Sequence, residues 1–290
     1  MLWSEHFEAL ACEHKRSIHN GDRNCAGSGT ACHVRMRVSK RAGDERIVLL
    51  PGNHVSNLLS EAGYVLLAAA ELQSRLSLVL NDLDHLRTSW SQLPRDVWLR
   101  DGGKYRYRRH SCFIHELATD TLAQTAHRAH WQPTDYNALH GGMERWFDPI
   151  EPAVASSVVW SQLLRTLGQV FDGAKPVTRW YIEAHQFRID TAEGIGRPTP
   201  EGAHRDGVDY VAIVLIDRRS VRGGETRVFE AQGIGGVRFT MTQPWTTLLL
   251  DDTRVIHETT PIQPDGESGF RDTLVLTYRS QGFQAPPEQS

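Results

Sequence analysis

Four cysteines, Cys12, Cys25, Cys32 and Cys112, are too few and too irregularly spaced for a disulfide framework or for paired C-x-x-C zinc ligands, so they read as free thiols. Long apolar runs are also lacking. The longest, "YVLLAAA", is far short of a membrane span. The opening "MLWSEHFEALACEHKRS" puts acids before its bases and has no apolar stretch of signal-peptide type, so it does not read as a secretory signal, and the expectation is a soluble, cytoplasmic protein. No charge of one sign dominates: a net charge of -3 gives no basic footprint for nucleic acid and none for a membrane surface. The expected partner is a small molecule; oligomeric state has no sequence signature. Lysine is nearly missing beside arginine, an imbalance that carries no site information.

At 290 residues, 40% of them apolar, the chain can bury one sizeable core. Residues 1–45 are polar and turn-rich ("NGDRNCAGSGT") and read as a partly mobile extension. Cys12, His14, Cys25, Cys32 and His33 gather there at spacings that match no zinc template. Residues 46–175 read as a helical and mixed support region with a possible lid. Leu72, Leu76, Val79, Leu83 and Leu86 fall on one helical face, and Pro94 ends that helix. "KYRYRRHSCF" suits a strand with one wet face, and "VVWSQLLRTLGQVF" a helix stopping at Asp172-Gly173. From 176 to 282, short β-rich runs such as "DYVAIVLID", "WTTLLLDD" and "DTLVLTYRS" alternate with turn clusters and no helices, which predicts a sandwich or barrel. The fold class expected is mainly β with packed helices, around a double-stranded β-helix (jelly roll, cupin-like) core, all in one compact domain.

Just before one of those strands, "GAHRDGVDY" sets His204 and Asp206 two residues apart, so that both can face one side of an extended chain. Chance alone supplies about one His-x-Asp in a chain of this composition. A third ligand is available in His257 of "LLLDDTRVIHETTPI". Two imidazoles and a carboxylate on one face of an octahedral ion make the donor set of non-haem Fe(II), leaving positions for a chelating 2-oxo acid and for dioxygen. Arg271, at the head of the apolar strand "RDTLVLTYRS", can grip a distal carboxylate bidentately, and Thr273 on the same strand face can add a hydroxyl; an ion pair of Arg271 with Asp251 or Asp252 is the structural alternative.

These segments, with "LPRDVWLRDGGKYRYRRHSCF", "LHGGMERWF" and "IEAHQFRI", resemble the bacterial 2-oxoglutarate/Fe(II) dioxygenases that hydroxylate free L-amino acids, the group of L-isoleucine 4-hydroxylase and the pipecolate and citrulline hydroxylases of antibiotic pathways. The resemblance covers roughly residues 47–281. It implies His204, Asp206 and His257 as iron ligands, Arg271 as the 2-oxoglutarate anchor, and ascorbate as an in vitro reductant. Aspartate at 206 favours hydroxylation over halogenation, since related halogenating enzymes carry a small residue there.

Finer assignments are open. Gln186 and Arg188, two apart in a predicted strand, are candidates for co-substrate and substrate carboxylate; Tyr107, Arg109, Glu144 and Trp146 for a lid over substrate; Asp209 for a substrate ammonium. Ordinary packing or surface positions are the alternatives. His127 and His130, three apart on a possible helix, read best as exposed. The expected substrate is a cyclic or aliphatic amino acid, L-pipecolic acid first and a polar one such as L-citrulline second. Desaturation or ring formation at the same iron, a zinc hydrolase, and a non-enzymatic jelly-roll binding module are the rivals.

Overall fold

Alternation along the strands decides the architecture. Trp180, Ile182 and Ala184 in one run, Ala212, Val214 and Ile216 in another, and Leu274, Leu276 and Tyr278 in a third are all buried, which commits one face of a sheet to packing. In the computed structural model, which describes residues 54–77 and 80–287, these runs are adjacent strands of one sheet. The Cys/His group of the N-terminal extension and Val79 lie outside the described residues.

The elements are α1 (His54–Ala62), β1 (Tyr64–Leu67), α2 (Ala69–Leu76), α3 (Leu80–Arg87), β2 (Arg106–Glu116), β3 (Thr121–Gln124), α4 (Pro152–Ala155) and α5 (Val158–Ala174). There follow β4 (Arg179–Asp190), β5 (Tyr210–Arg219), β6 (Val221–Gly223), β7 (Thr226–Glu230), β8 (Gly236–Phe239), β9 (Thr247–Asp251), β10 (Val255–Thr259), β11 (Ile262–Pro264) and β12 (Phe270–Arg279). The large antiparallel sheet runs β1-β9-β5-β12-β4-β2-β3, and two smaller sheets pair β10-β7-β8 and β11-β6.

The large sheet has two different faces. Outside, Leu59, Leu72, Leu83, Leu163 and Phe171 of the helices cover Trp180, Ile182, Tyr210 and Tyr278. Each such side chain contributes roughly 1.5–3 kcal/mol by leaving water. Inside, Val211, Ile213 and Leu248 meet Val228 and Val255 of the small sheet. The result is a jelly roll with helices on one sheet, as the sequence pattern predicts.

α5 shows the local logic. Trp160, Leu163, Leu164, Leu167 and Phe171 are buried at helical spacing, and Ser157 caps the first turn by accepting the Trp160 N–H at 3.2 Å. The helix runs to Ala174, just past the Asp172-Gly173 stop. The leucine-rich helix upstream is broken: Ser77 enters the left-handed region (φ 51°) and closes α2. Leu72, Leu76, Leu83 and Leu86 still reach the same core, because α3 restarts the pattern.

β2 corrects the expectation of a wet face. Arg106 and Arg108 are buried inside the roll, while Tyr107 packs against the helix-side core. Arg188 is corrected too. Trp180, Ile182 and Ala184 fix the phase of β4, so Arg188 lies on their face, opposite Asp272 of β12 in the strand register. Its guanidinium grips that carboxylate bidentately at 2.8 and 2.7 Å. Arg188→Ala leaves Asp272 buried without its cation; the expected outcome is a loss of about 3 kcal/mol in a denaturation curve, with the KM values for both substrates within a factor of three of wild type.

Candidate metal centre and its cavity

His204 and Asp206 lie in the loop before β5, and His257 sits in β10, 53 residues further along the chain but adjacent in space. Backbone pairing joins them: His204 N–H to His257 O at 3.0 Å and His257 N–H to His204 O at 2.9 Å. The imidazoles then lie 4.7 Å apart, centroid to centroid. Nε2 of each ring is 3.8 Å from an Asp206 carboxylate oxygen, and the three ligand atoms lie within 4.8 Å of one another. At 3.8 Å they are too far apart to hydrogen-bond and close enough to share one ion.

Their support is built from the backbone. Asp252, fully buried, accepts the N–H groups of Asp206, Gly207 and Val208 at 3.0, 2.8 and 3.1 Å. Gln284 donates to the Asp206 and Gly207 carbonyls. Gly207 is required, since φ is +74° and a Cβ would meet the Tyr136 ring at 2.5 Å. His204 Nδ1 faces the Gly202 carbonyl at 2.9 Å; donation there leaves Nε2 with its lone pair toward Asp206. Burial raises the pKa of Asp206, and burial together with the Asp206 charge pushes Asp252 up to about 7.

A second cluster also offers metal-ligand atoms within 4.8 Å: His110, His130, Glu183 and His185. This one is closed by direct hydrogen bonds. Glu183 Oε2 accepts from His110 at 2.9 Å and from His130 at 2.7 Å, while Arg108 donates to His185 Nδ1 at 2.7 Å. Burial opposes the Glu183 charge, but these partners hold its pKa below the usual carboxylate range.

Both clusters border a cavity of about 110 Å³ between the sheets. Arg271 and Thr273 line it from β12. Arg271 is 3% exposed, and its Nε and Nη2 have no hydrogen-bond partner. Burial and the nearby Arg218 push its pKa down to about 10. No carboxylate pairs with it among the described residues: Asp251 accepts from Thr253, and Asp252 from the ligand loop. Such a group fits the distal carboxylate of a small dicarboxylic acid.

Five other assignments lie off the cavity face. Gln186 shares the helix-side phase of β4 and donates to Ser89 Oγ at 2.8 Å, while its neighbours His185 and Phe187 line the cavity. Arg109 turns outward to the Pro149 carbonyl and Glu151, and Tyr107 to Arg95. Glu144 and Trp146 are exposed, whereas Arg145 and Phe147 between and beyond them are buried. Each pair is displaced by one residue, because polar side chains facing a polar cavity mimic a solvent face. Asp209 is also elsewhere, bound to Lys175, Ser280 N–H and Ser280 Oγ. His130 is buried rather than exposed, paired by its backbone with Arg145.

Sequence reasoning missed Asp252, Glu183, His185, Arg108 and the wall segment carrying His130, Gln132, Asn137, His140 and Arg145. For Glu183 and His185 a signal existed, since the apolar phase of Trp180, Ile182 and Ala184 assigns the alternate positions to the interior. For 130–145 no periodicity exists to read.

The comparisons with known proteins agree with this fold. The sequence matches the 2OG-Fe dioxygenase family over residues 87–277. It is 54% identical to a bsmA homolog from Methylobium petroleophilum PM1, whose crystal structure aligns with a TM-score of 0.79 and covers 83% of this chain and 98% of that one. IDO from Bacillus thuringiensis (18% identity, TM-score 0.66, covering 79% and 99%) shares the fold. So does the Fe(II)/α-ketoglutarate-dependent dioxygenase TqaL (18% identity, TM-score 0.61, covering 78% and 86%). No curated protein matches the chain. The family match begins at the end of α3 and reaches into β12, taking in the residues of β2, β4, β5, β10 and β12 that line the cavity; the chain belongs to the 2OG-Fe dioxygenase family and is an Fe(II)- and 2-oxoglutarate-dependent dioxygenase.

Proposed function

We propose that the enzyme hydroxylates an unactivated C–H bond of a small free L-amino acid, with Fe(II) held by His204, Asp206 and His257 and 2-oxoglutarate anchored by Arg271. The observation that carries this reading is the buried, carboxylate-free guanidinium of Arg271 in the cavity that the three converging ligand atoms also line. When bound, the ion and co-substrate supply oxidative chemistry of fixed stoichiometry: one C–H, one 2-oxoglutarate and one O2 give one C–OH, succinate and CO2.

The chain's own residues supply placement. Arg271 and Thr273, two apart on β12, offer donors to the cavity from one strand face. Val208, Ile213 and Val275 line the cavity with apolar surface that excludes water from the reacting carbon. Asp206, present as a carboxylate, fills the third ligand position, which favours hydroxylation over halogenation. A free zwitterion is compatible with a cavity this small and this polar, and L-pipecolic acid ranks first and L-citrulline second.

An aerobic screen of free L-amino acids with Fe(II), ascorbate and 2-oxoglutarate tests the reading. A product heavier by one oxygen is expected for at least one of them; succinate at the uncoupled background for every amino acid rules out the substrate class. Asp206→Ala and His257→Ala are each expected to bring succinate release down to the protein-free control. Arg271→Met is expected to raise the KM for 2-oxoglutarate by about 30-fold or more, since an anion-binding charge in a dry site is worth at least about 2 kcal/mol, and Arg271→Lys to restore only part. Asp252→Asn is expected to weaken Fe(II) binding by about 10- to 100-fold in an anaerobic titration, through the loop it holds rather than through direct ligation.

A further inference from the structure

Arg271 is not the only buried cation in the cavity without a counter-ion. Arg145 is 2% exposed, lines the same cavity, and has no carboxylate partner among the described residues. Its Nε has no hydrogen-bond partner, and Nη2 donates to Gln132 Oε1 at 3.0 Å. None of the nearby carboxylates forms an ion pair with it: Asp96 is taken by Arg106 at 2.7 Å, Glu183 by two histidines, and Glu201 acts on it only from across the cavity. On the same wall, Arg106 Nη2 is also unpartnered. Two buried guanidiniums lack an ion pair, and the distal carboxylate of one co-substrate can pair with only one of them.

The position of Arg145 relates it to the metal centre. Gln132 holds the Arg145 guanidinium through its Oε1 and approaches Asp206 Oδ1 through its Nε2 at 3.4 Å, so one amide separates the two. Asn137 donates to the same Gln132 oxygen at 3.1 Å and fixes its orientation. The cavity also carries an unmatched acceptor. Glu201 Oε2 is buried without a partner, while its other oxygen lies 3.6 Å from His204 Nε2. Cationic donors and an anionic acceptor thus face one space beside the ligands.

We infer that Arg145, supported by Arg106, binds the carboxylate of the substrate and that Glu201 binds its ammonium, so that the cavity selects a free α-amino acid. This rests on the amino acid reading proposed above. It replaces Arg188 and Asp209, whose charges are occupied elsewhere, and it requires both termini of the amino acid to be free.

The test measures amino-acid-stimulated succinate release for L-pipecolic acid, L-isoleucine, L-citrulline and the common L-amino acids, each beside its carboxamide and its N-acetyl derivative. The carboxamide of any amino acid that stimulates is expected to require about tenfold higher concentration or more. Arg145→Met is expected to raise the KM for the amino acid about tenfold more than the KM for 2-oxoglutarate, with a smaller change for the carboxamide; Arg271→Met does the reverse. Arg145→Lys, which keeps the charge and serves if the methionine variant does not fold, is expected to raise the amino acid KM several-fold. Glu201→Gln is expected to raise the amino acid KM while narrowing its advantage over the N-acetyl derivative. Stimulation that ignores both Arg145 variants, or equal use of acid and carboxamide, overturns the subsite and leaves the amino acid reading intact. No stimulation of the wild type by any amino acid overturns both.

Discussion

Taking a guanidinium out of water without a carboxylate beside it costs several kcal/mol, and this protein does so at both Arg271 and Arg145. The rest of the jelly roll makes that cost tolerable. Helices seal the outer face of the large sheet with Trp160, Leu163 and Phe171, and the small sheet closes the inner face with Val228 and Val255. What is left between the sheets is a cavity lined by the guanidiniums of Arg271 and Arg145 and the carboxylate of Glu201, none of them ion-paired with another. The stability deferred there is available when ligands bind.

The three metal-ligand candidates obey the same economy. Asp252 spends its carboxylate on three backbone N–H groups, so the loop from Asp206 to Val208 is rigid before any ion arrives. The pairing of His204 with His257 ties that loop to β10. The second histidine cluster is the contrast: Glu183 there already accepts two imidazole N–H bonds, so its carboxylate is engaged within the wall that also carries Arg108 and Arg145.

Much of this was legible in the sequence. The strand runs and the helix of α5 follow from alternation and helical spacing, and His204, Asp206, His257, Arg271 and Thr273, singled out by donor type together with the family resemblance, line the cavity. Sequence reasoning failed where alternation had two readings. Tyr107 with Arg109 on β2 and Gln186 with Arg188 on β4 lie one residue out of phase with the cavity, because a strand with arginine and histidine on its inner face looks as wet as one facing solvent; Glu144 and Trp146 lie beside an isolated bridge, outside any strand. For β4 the apolar Trp180, Ile182 and Ala184 resolve the ambiguity. Ser77, by contrast, gives no advance sign of the left-handed turn that splits the leucine-rich helix, and the irregular wall from His130 to Arg145 is fixed by tertiary contacts that no local period encodes.

The central claim is that iron belongs to the three ligand atoms that converge without bonding, not to the four-residue cluster that closes on itself. Anomalous diffraction at the iron edge, from crystals grown under argon with Fe(II) and 2-oxoglutarate, separates the two directly. A single peak within bonding distance of His204 Nε2, an Asp206 oxygen and His257 Nε2 is the predicted result. A peak among His110, His130, Glu183 and His185, with none beside Asp206, would contradict the account.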